Sequence, residues 1–281
     1  MPPQLARDCF LRACELDVTV RKPGNVSVAS PGHRMQAEQF IASAHAAAAP
    51  LFEAGTPVGE RIERAVMATQ AAVGCNTNLG IVLLIAPLAA AAERPNALDG
   101  VAALDGALDG VLDGLDVADA RAAYRAIALA NPAGLGQDAR ADVRTVAQIG
   151  LREAMALAAP RDLIARQYAN GYADVFDALR RDVASGFVLP RANADDVQRI
   201  FLGWLSRYPD SHIVRKHGEA VAHTVMSAAQ AWAARPAPDR SPAFAEWDES
   251  LKVAGVNPGT SADLTVATLW IAGVLPAWHG S

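Results

Sequence analysis

Gly74-Cys75-Asn76-Thr77-Asn78-Leu79-Gly80-Ile81-Val82-Leu83-Leu84-Ile85-Ala86-Pro87-Leu88-Ala89-Ala90-Ala91-Ala92 sets a polar knot directly before a long apolar run. The run over 81–92 reads as a buried helix. Small amide and hydroxyl side chains between two glycines are costly at the edge of a core unless they bond something. Asn76 or Thr77 can cap the helix that follows, because a side-chain oxygen there accepts from an otherwise orphan amide. One residue is enough for a cap, and three ask for a further partner.

Outward from this stretch, the chain is 281 residues long, 52% apolar and only 6% aromatic. Much of its apolar content is therefore alanine, which favours closely packed helices, and long Val/Ile/Thr alternation is scarce. The expectation is an all-α protein, a single Ala-rich multi-helix domain over 1–281. A net charge of −5 argues against nucleic-acid binding through a basic face, but leaves room for a nucleotide site with a few local cations. Cys9, Cys14 and Cys75 form no pair at metal-ligand spacing, which fits a reduced, cytoplasmic setting. No signal-peptide pattern opens the chain. The 79–92 run is too short to span a bilayer and contains Pro87, so no membrane partner is expected.

Hydrophobic spacing predicts helices over 4–20, 37–53, 59–73 and 81–92, then from 116–119 to 130. Further helices are expected over 141–158, 161–179, 194–207, 213–234, and from 260–263 to a point before Pro276. Residues 98–116 repeat Leu-Asp-Gly; Leu104, Leu108 and Leu112 keep a four-residue spacing, so a weak helix is expected there. The order and period of calcium-binding nonapeptides are absent. Residues 27–35 and 131–136 read as loops, and the Pro-rich 236–242 as a short linker.

Polar break points fall at 22–25, 74–80, 210–218 and 257–263, and a helical bundle can gather such corners at one end. Asp210-Ser211-His212-Ile213-Val214-Arg215-Lys216-His217-Gly218 holds an acid, two cations and two imidazoles. Read as the start of a long helix, it sets Arg215 and Lys216 against the helix dipole, which favours an anionic partner. Asn257-Pro258-Gly259-Thr260-Ser261-Ala262-Asp263 is a cap-rich loop whose helix N-terminus could also take phosphate. P-loop, dinucleotide, zinc-protease and serine-elbow motifs are missing. His33 and His45 read as ordinary polar positions.

Taken together, Lys22-Pro23-Gly24, Gly74-x-Asn76-Thr77, Asp210-Ser211-His212-Ile213-x-Arg215 and Gly259-x-Ser261-Ala262-Asp263-Leu264 resemble the family of triphosphoribosyl-dephospho-CoA synthases. The resemblance implies an all-helical fold, ATP with Mg²⁺, and transfer of ATP's 5′-triphosphoribosyl unit to a ribose hydroxyl of 3′-dephospho-CoA, with adenine leaving. It implies Lys22 and Arg215 on phosphates, and Asn76 and Thr77 on ribose or phosphate oxygens. Asn78, Ser211, Lys216 and Ser261 complete the nucleotide-binding set. Asp210 and Asp263 are expected as metal ligands or base, with Glu63 a further carboxylate; Asp210→Asn should remove turnover with helicity intact. A homodimer is a further expectation. Two departures stand out. Asn78 and Leu79 occupy positions where the family pattern has His and a basic residue, and the Lys-Pro-Gly loop continues as Asn25-Val26-Ser27 without an acid. These suggest a divergent branch with another acceptor, of the one-carbon carrier (tetrahydromethanopterin or methanofuran) type. A non-catalytic helical nucleotide-binding protein is the alternative from another class.

Overall fold

The computed structural model describes residues 3–28, 30, 36–130 and 146–276. His33, residues 29 and 31–35 of the loop expected over 27–35, the loop over 131–136, and the start of the helix expected at 141 lie outside the described residues. Within them the chain is all-α, with no strand. In order come α1 (Pro3–Thr19), α2 (Ala37–Leu51), α3 (Val58–Val73), α4 (Leu79–Ala92), α5 (Val101–Asp113), α6 (Val117–Ala130) and α7 (Leu151–Ala158). Then follow α8 (Leu163–Asn170), α9 (Ala173–Asp182), α10 (Ala194–Leu205), α11 (Ser211–His217), α12 (Glu219–Ala233), α13 (Pro242–Val253) and α14 (Gly259–Val274).

Two of these helices, α4 and α14, are apolar on nearly every face and run through the main core. A helix without a polar side has to be covered all round; α1, α3, α5 and α8 pack on one or both of them. Pro87 inside α4 has no amide hydrogen to give the Leu83 carbonyl one turn back. Two tyrosines make up the loss: the Tyr168 hydroxyl donates to Leu83 O at 2.5 Å, and that of Tyr172 to Leu84 O at 3.0 Å. Both rings are fully buried, and burial pushes both phenols up, so they stay neutral donors. A second apolar cluster, with Phe201, Leu205, Ile213, Val225, Phe244 and Leu251, gathers the later helices. Because α10 and α14 supply residues to both clusters, the two share walls.

Several boundaries differ from the sequence expectation. The helix expected over 161–179 is interrupted at Gly171 and Tyr172, which both take positive φ (68° and 61°); glycine allows that cheaply, while Tyr172 is held there by its buried ring and hydroxyl contact. The helix expected over 213–234 breaks at Gly218, where φ is 86°. Among the described residues of the helix expected over 141–158, Leu151–Ala158 is helical and 146–150 is irregular. The Pro-rich stretch is not a linker: Pro242 starts α13, since a missing amide hydrogen costs nothing at the first helical position. The Leu-Asp-Gly repeat does form a helix, burying Leu104, Leu108 and Leu112 and leaving open space around Gly106 and Gly110.

Candidate active site

The four polar corners meet around the first turn of α14. From the first corner, Gly24 takes a φ of +80°, and a Cβ there would lie 2.8 Å from Val256 O and 2.9 Å from Pro258 Cδ; only glycine fits. Beside it Asn25 Nδ2 donates to Asn257 Oδ1 at 2.9 Å. From the third corner, Asp210 caps α11 by accepting from the amides of His212 and Ile213 at 2.9 and 3.1 Å. Its other oxygen accepts from Ser261 N and Ser261 Oγ at 2.7 and 2.8 Å. Thr260 Oγ1 accepts from His212 N at 3.2 Å. From the second corner, Gly80 lies so close to Asp263 that a Cβ would overlap the Asp263 carboxylate and the Ile164 side chain.

The expected site residues fall into distinct environments. Asp210, fully buried, has all four carboxylate acceptor positions taken, which makes it a clasp between α11 and α14. Burial raises its pKa against the pull of those donors. Ser261 is the other half of the clasp. Ser211 Oγ accepts from Leu163 N at 2.9 Å, tying α11 to α8. Asp263 is part-exposed and makes no hydrogen bond to protein among the described residues. Burial, followed by the charges of Asp17 and Asp210, pushes its carboxyl well above the usual range; Arg215 pulls the other way and Asp162 adds to the push.

Lys22 is fully buried, and its ammonium pairs with the Asp17 carboxylate at 3.1 Å and donates to the Asp17 carbonyl. Its charge is spent on Asp17 inside the fold. Arg215 is a quarter exposed, with Nη1 2.7 Å from Asp162 Oδ2. Lys216 is exposed on the last turn of α11. The dipole argument fails here. Because Gly218 ends the helix, Arg215 and Lys216 stand at its C-terminal end, where cations are favoured without any ligand.

In the polar knot Asn76 Oδ1 accepts from Leu79 N at 3.2 Å and does the capping. Thr77 Oγ1 donates to Ser43 Oγ of α2 at 2.5 Å. Asn78 Oδ1 accepts from Thr69 at 3.2 Å, while its Nδ2 is buried with no protein partner. Glu63 is elsewhere on α3: Arg125 holds it through two contacts of 2.6 Å, and no hydrogen bond or ion pair among the described residues joins it to the corners.

Several residues at the corners carry no signal in the sequence. Asp17 and Asp162 are isolated acids within helical patterns, and Ser43 and Gln39 sit on an Ala-rich helix whose first turns face the knot. The clamp on the first corner was also hidden, because no helix was expected over 243–253. Asp248 of α13 accepts from Gly24 N at 2.8 Å and pairs with Lys252 at 3.0 Å.

Two comparisons bear on this arrangement. The family model for ATP:dephospho-CoA triphosphoribosyl transferase (CitG) matches residues 3–280. A crystal structure from Archaeoglobus fulgidus, provisionally described as a triphosphoribosyl-dephospho-CoA synthase, is similar with a TM-score of 0.66 and 25% identity. That match covers 83% of this chain and 97% of the other. A search of curated proteins finds no match. No described helix is long and apolar enough to cross a membrane. The end-to-end family match, over a helical chain whose polar corners converge, identifies this protein as a member of the ATP:dephospho-CoA triphosphoribosyl transferase (CitG) family, a family of transferases.

Proposed function

We propose that this chain transfers the 5′-triphosphoribosyl group of ATP to a ribose hydroxyl of 3′-dephospho-CoA, at the corners around the start of α14. The single observation that carries the location is Asp263, a carboxylate with unused acceptor capacity where all four corners meet. In the reaction the acceptor oxygen bonds to C1′ of ATP's ribose, the C1′–N9 bond breaks, and the hydroxyl proton ends on the departing adenine. Charge that develops at C1′ is positive, and the carboxylates Asp17, Asp162, Asp210 and Asp263 give this region a negative field suited to it.

The same excess of acid over Lys22 and Arg215 is a poor host for a bare triphosphate, and a divalent cation resolves that. No three acid, His or Cys side chains among the described residues gather as a metal cage. Magnesium needs less, since it is commonly held by one or two carboxylates with substrate phosphates and water completing the shell. Asp263 fits as that ligand, and Asp210, with every acceptor position occupied, does not. Bound there, the metal would offset triphosphate charge. Arg215 would take a phosphate oxygen, and the free amide hydrogens of Asn78 support a polar contact near the knot.

The test is incubation with ATP, Mg²⁺ and 3′-dephospho-CoA, reading free adenine and the mass of the coupled product by chromatography. Intact ATP and no coupled product would refute the proposal. The divergent-acceptor reading is favoured by one observation: Leu79 is core and Asn78 buried, so the knot presents no cation where the family pattern has one. Adenine released only with a pterin- or furan-type one-carbon carrier precursor would favour it.

A further inference from the structure

The four corners do not close the site alone; the start of α8 forms a fifth wall. Asp162 Oδ1 caps α8, accepting from Ile164 N and Ala165 N at 2.9 and 3.0 Å. Its other oxygen holds Arg215 Nη1 at 2.7 Å, across 53 residues of sequence. The next residue, Leu163, donates its amide to Ser211 Oγ, one turn before Arg215 on the same face of α11. Ile164 then reaches the space over Gly80. One short segment thus touches both the α11 corner and the polar knot.

Arg215 has five donors, and one is used. Nε and Nη2 have no partner among the described residues, and the side chain is a quarter exposed. A guanidinium on a long side chain loses considerable freedom when it is fixed in one place. A single charged hydrogen bond at one edge, from a carboxylate that the α8 cap itself immobilises, meets much of that cost before any ligand arrives.

We infer that Asp162 is a positioning residue for the nucleotide: by gripping one edge of Arg215 it presents the guanidinium's remaining donors to a triphosphate oxygen at the start of α14. The inference rests on the proposed ATP site and deepens it. Asp162 does not touch substrate; it acts through Arg215.

The experiment exploits the two jobs of the one carboxylate. Asp162→Asn and Asp162→Ser keep a good N-cap but remove the charge that holds Arg215. MgATP binding is measured by titration calorimetry for the wild type, both variants, Arg215→Met and the double variant Asp162→Asn/Arg215→Met. Expected are an unchanged melting temperature and a dissociation constant for MgATP raised about tenfold in Asp162→Asn and in Asp162→Ser. In the Arg215→Met background Asp162→Asn should add nothing, because the residue it positions is gone. Wild-type protein that fails to bind MgATP would sink the ATP site and this inference together. Normal wild-type binding with an unchanged constant in Asp162→Asn, or an equal loss in the Arg215→Met background, would overturn the inference alone.

Discussion

One oxygen of Asp210 accepts both the amide and the hydroxyl hydrogen of Ser261, 51 residues away, at 2.7 and 2.8 Å. The other oxygen takes two amides of its own helix. Whichever way an asparagine turned at this position, its NH₂ would meet two donors. Asp210→Asn should therefore lose about 1–3 kcal/mol of stability, the usual penalty for buried polar groups left without partners. Turnover should fall with it. Urea denaturation checks this, and a midpoint equal to wild type would contradict the clasp. Lost turnover with helicity intact stays the expectation, joined by this loss of stability.

Asp263 should behave in the opposite way. Its folded pKa lies above the ordinary carboxylate value, so its share of stability is present at acid pH and is lost as pH rises through the folded value. Removing the charge in Asp263→Asn should then stabilise the apo-protein at neutral pH by about 1 kcal/mol, a rise of a few degrees. Adenine release should drop to background. Thermal melts across pH check the sign: the gain over wild type should shrink toward acid conditions.

The thiols give a readout of the knot. Burial pushes Cys9 up to about 11 and Cys14 well above its ordinary value, whereas Cys75 is part-exposed in the loop beside Gln39. A thiol-specific reagent at mildly alkaline pH should label Cys75 in the native protein and all three cysteines after denaturation. MgATP should slow the native labelling if the nucleotide lies against the knot.

Tyr168 and Pro87 form a testable pair. Tyr168→Phe strips the hydroxyl from the Leu83 carbonyl that Pro87 leaves without an amide, and should cost about 1–3 kcal/mol. In a Pro87→Ala background the restored amide can take that carbonyl, and the same change should cost clearly less. Unfolding free energies of the four proteins in the cycle give the coupling.

Helix class and most helix positions were legible in the sequence, because a core helix as apolar as α4 cannot be mistaken for a surface one. The corners were legible too, since Gly24, Asn76, Asp210 and Ser261 announce turns and caps. Which polar groups would be spent on the fold was not. Nothing in the sequence distinguishes Asp210, saturated by four donors, from Asp263, which keeps its acceptors. Lys22 looked like a phosphate ligand, because its burial on Asp17 depends on a packing partner one turn back in α1. The interruption at Gly218 turned on a single φ, and it reversed the electrostatic meaning of Arg215 and Lys216. Asp162 gave no signal because its partner is distant in sequence.

Trp270 of α14 donates its ring hydrogen to the carbonyl of Ala6 in α1, 264 residues away. The helix that carries Ser261 and Asp263 is thus packed into the core against α1. During synthesis, neither the main core around α14 nor the corner at Asp263 is complete until residues 259–274 have left the ribosome. Such long-range closure folds slowly and leaves sticky surface exposed meanwhile. Fragments ending before residue 259 should accordingly be chaperone clients or aggregates, and partial activity from C-terminal truncation is not to be expected.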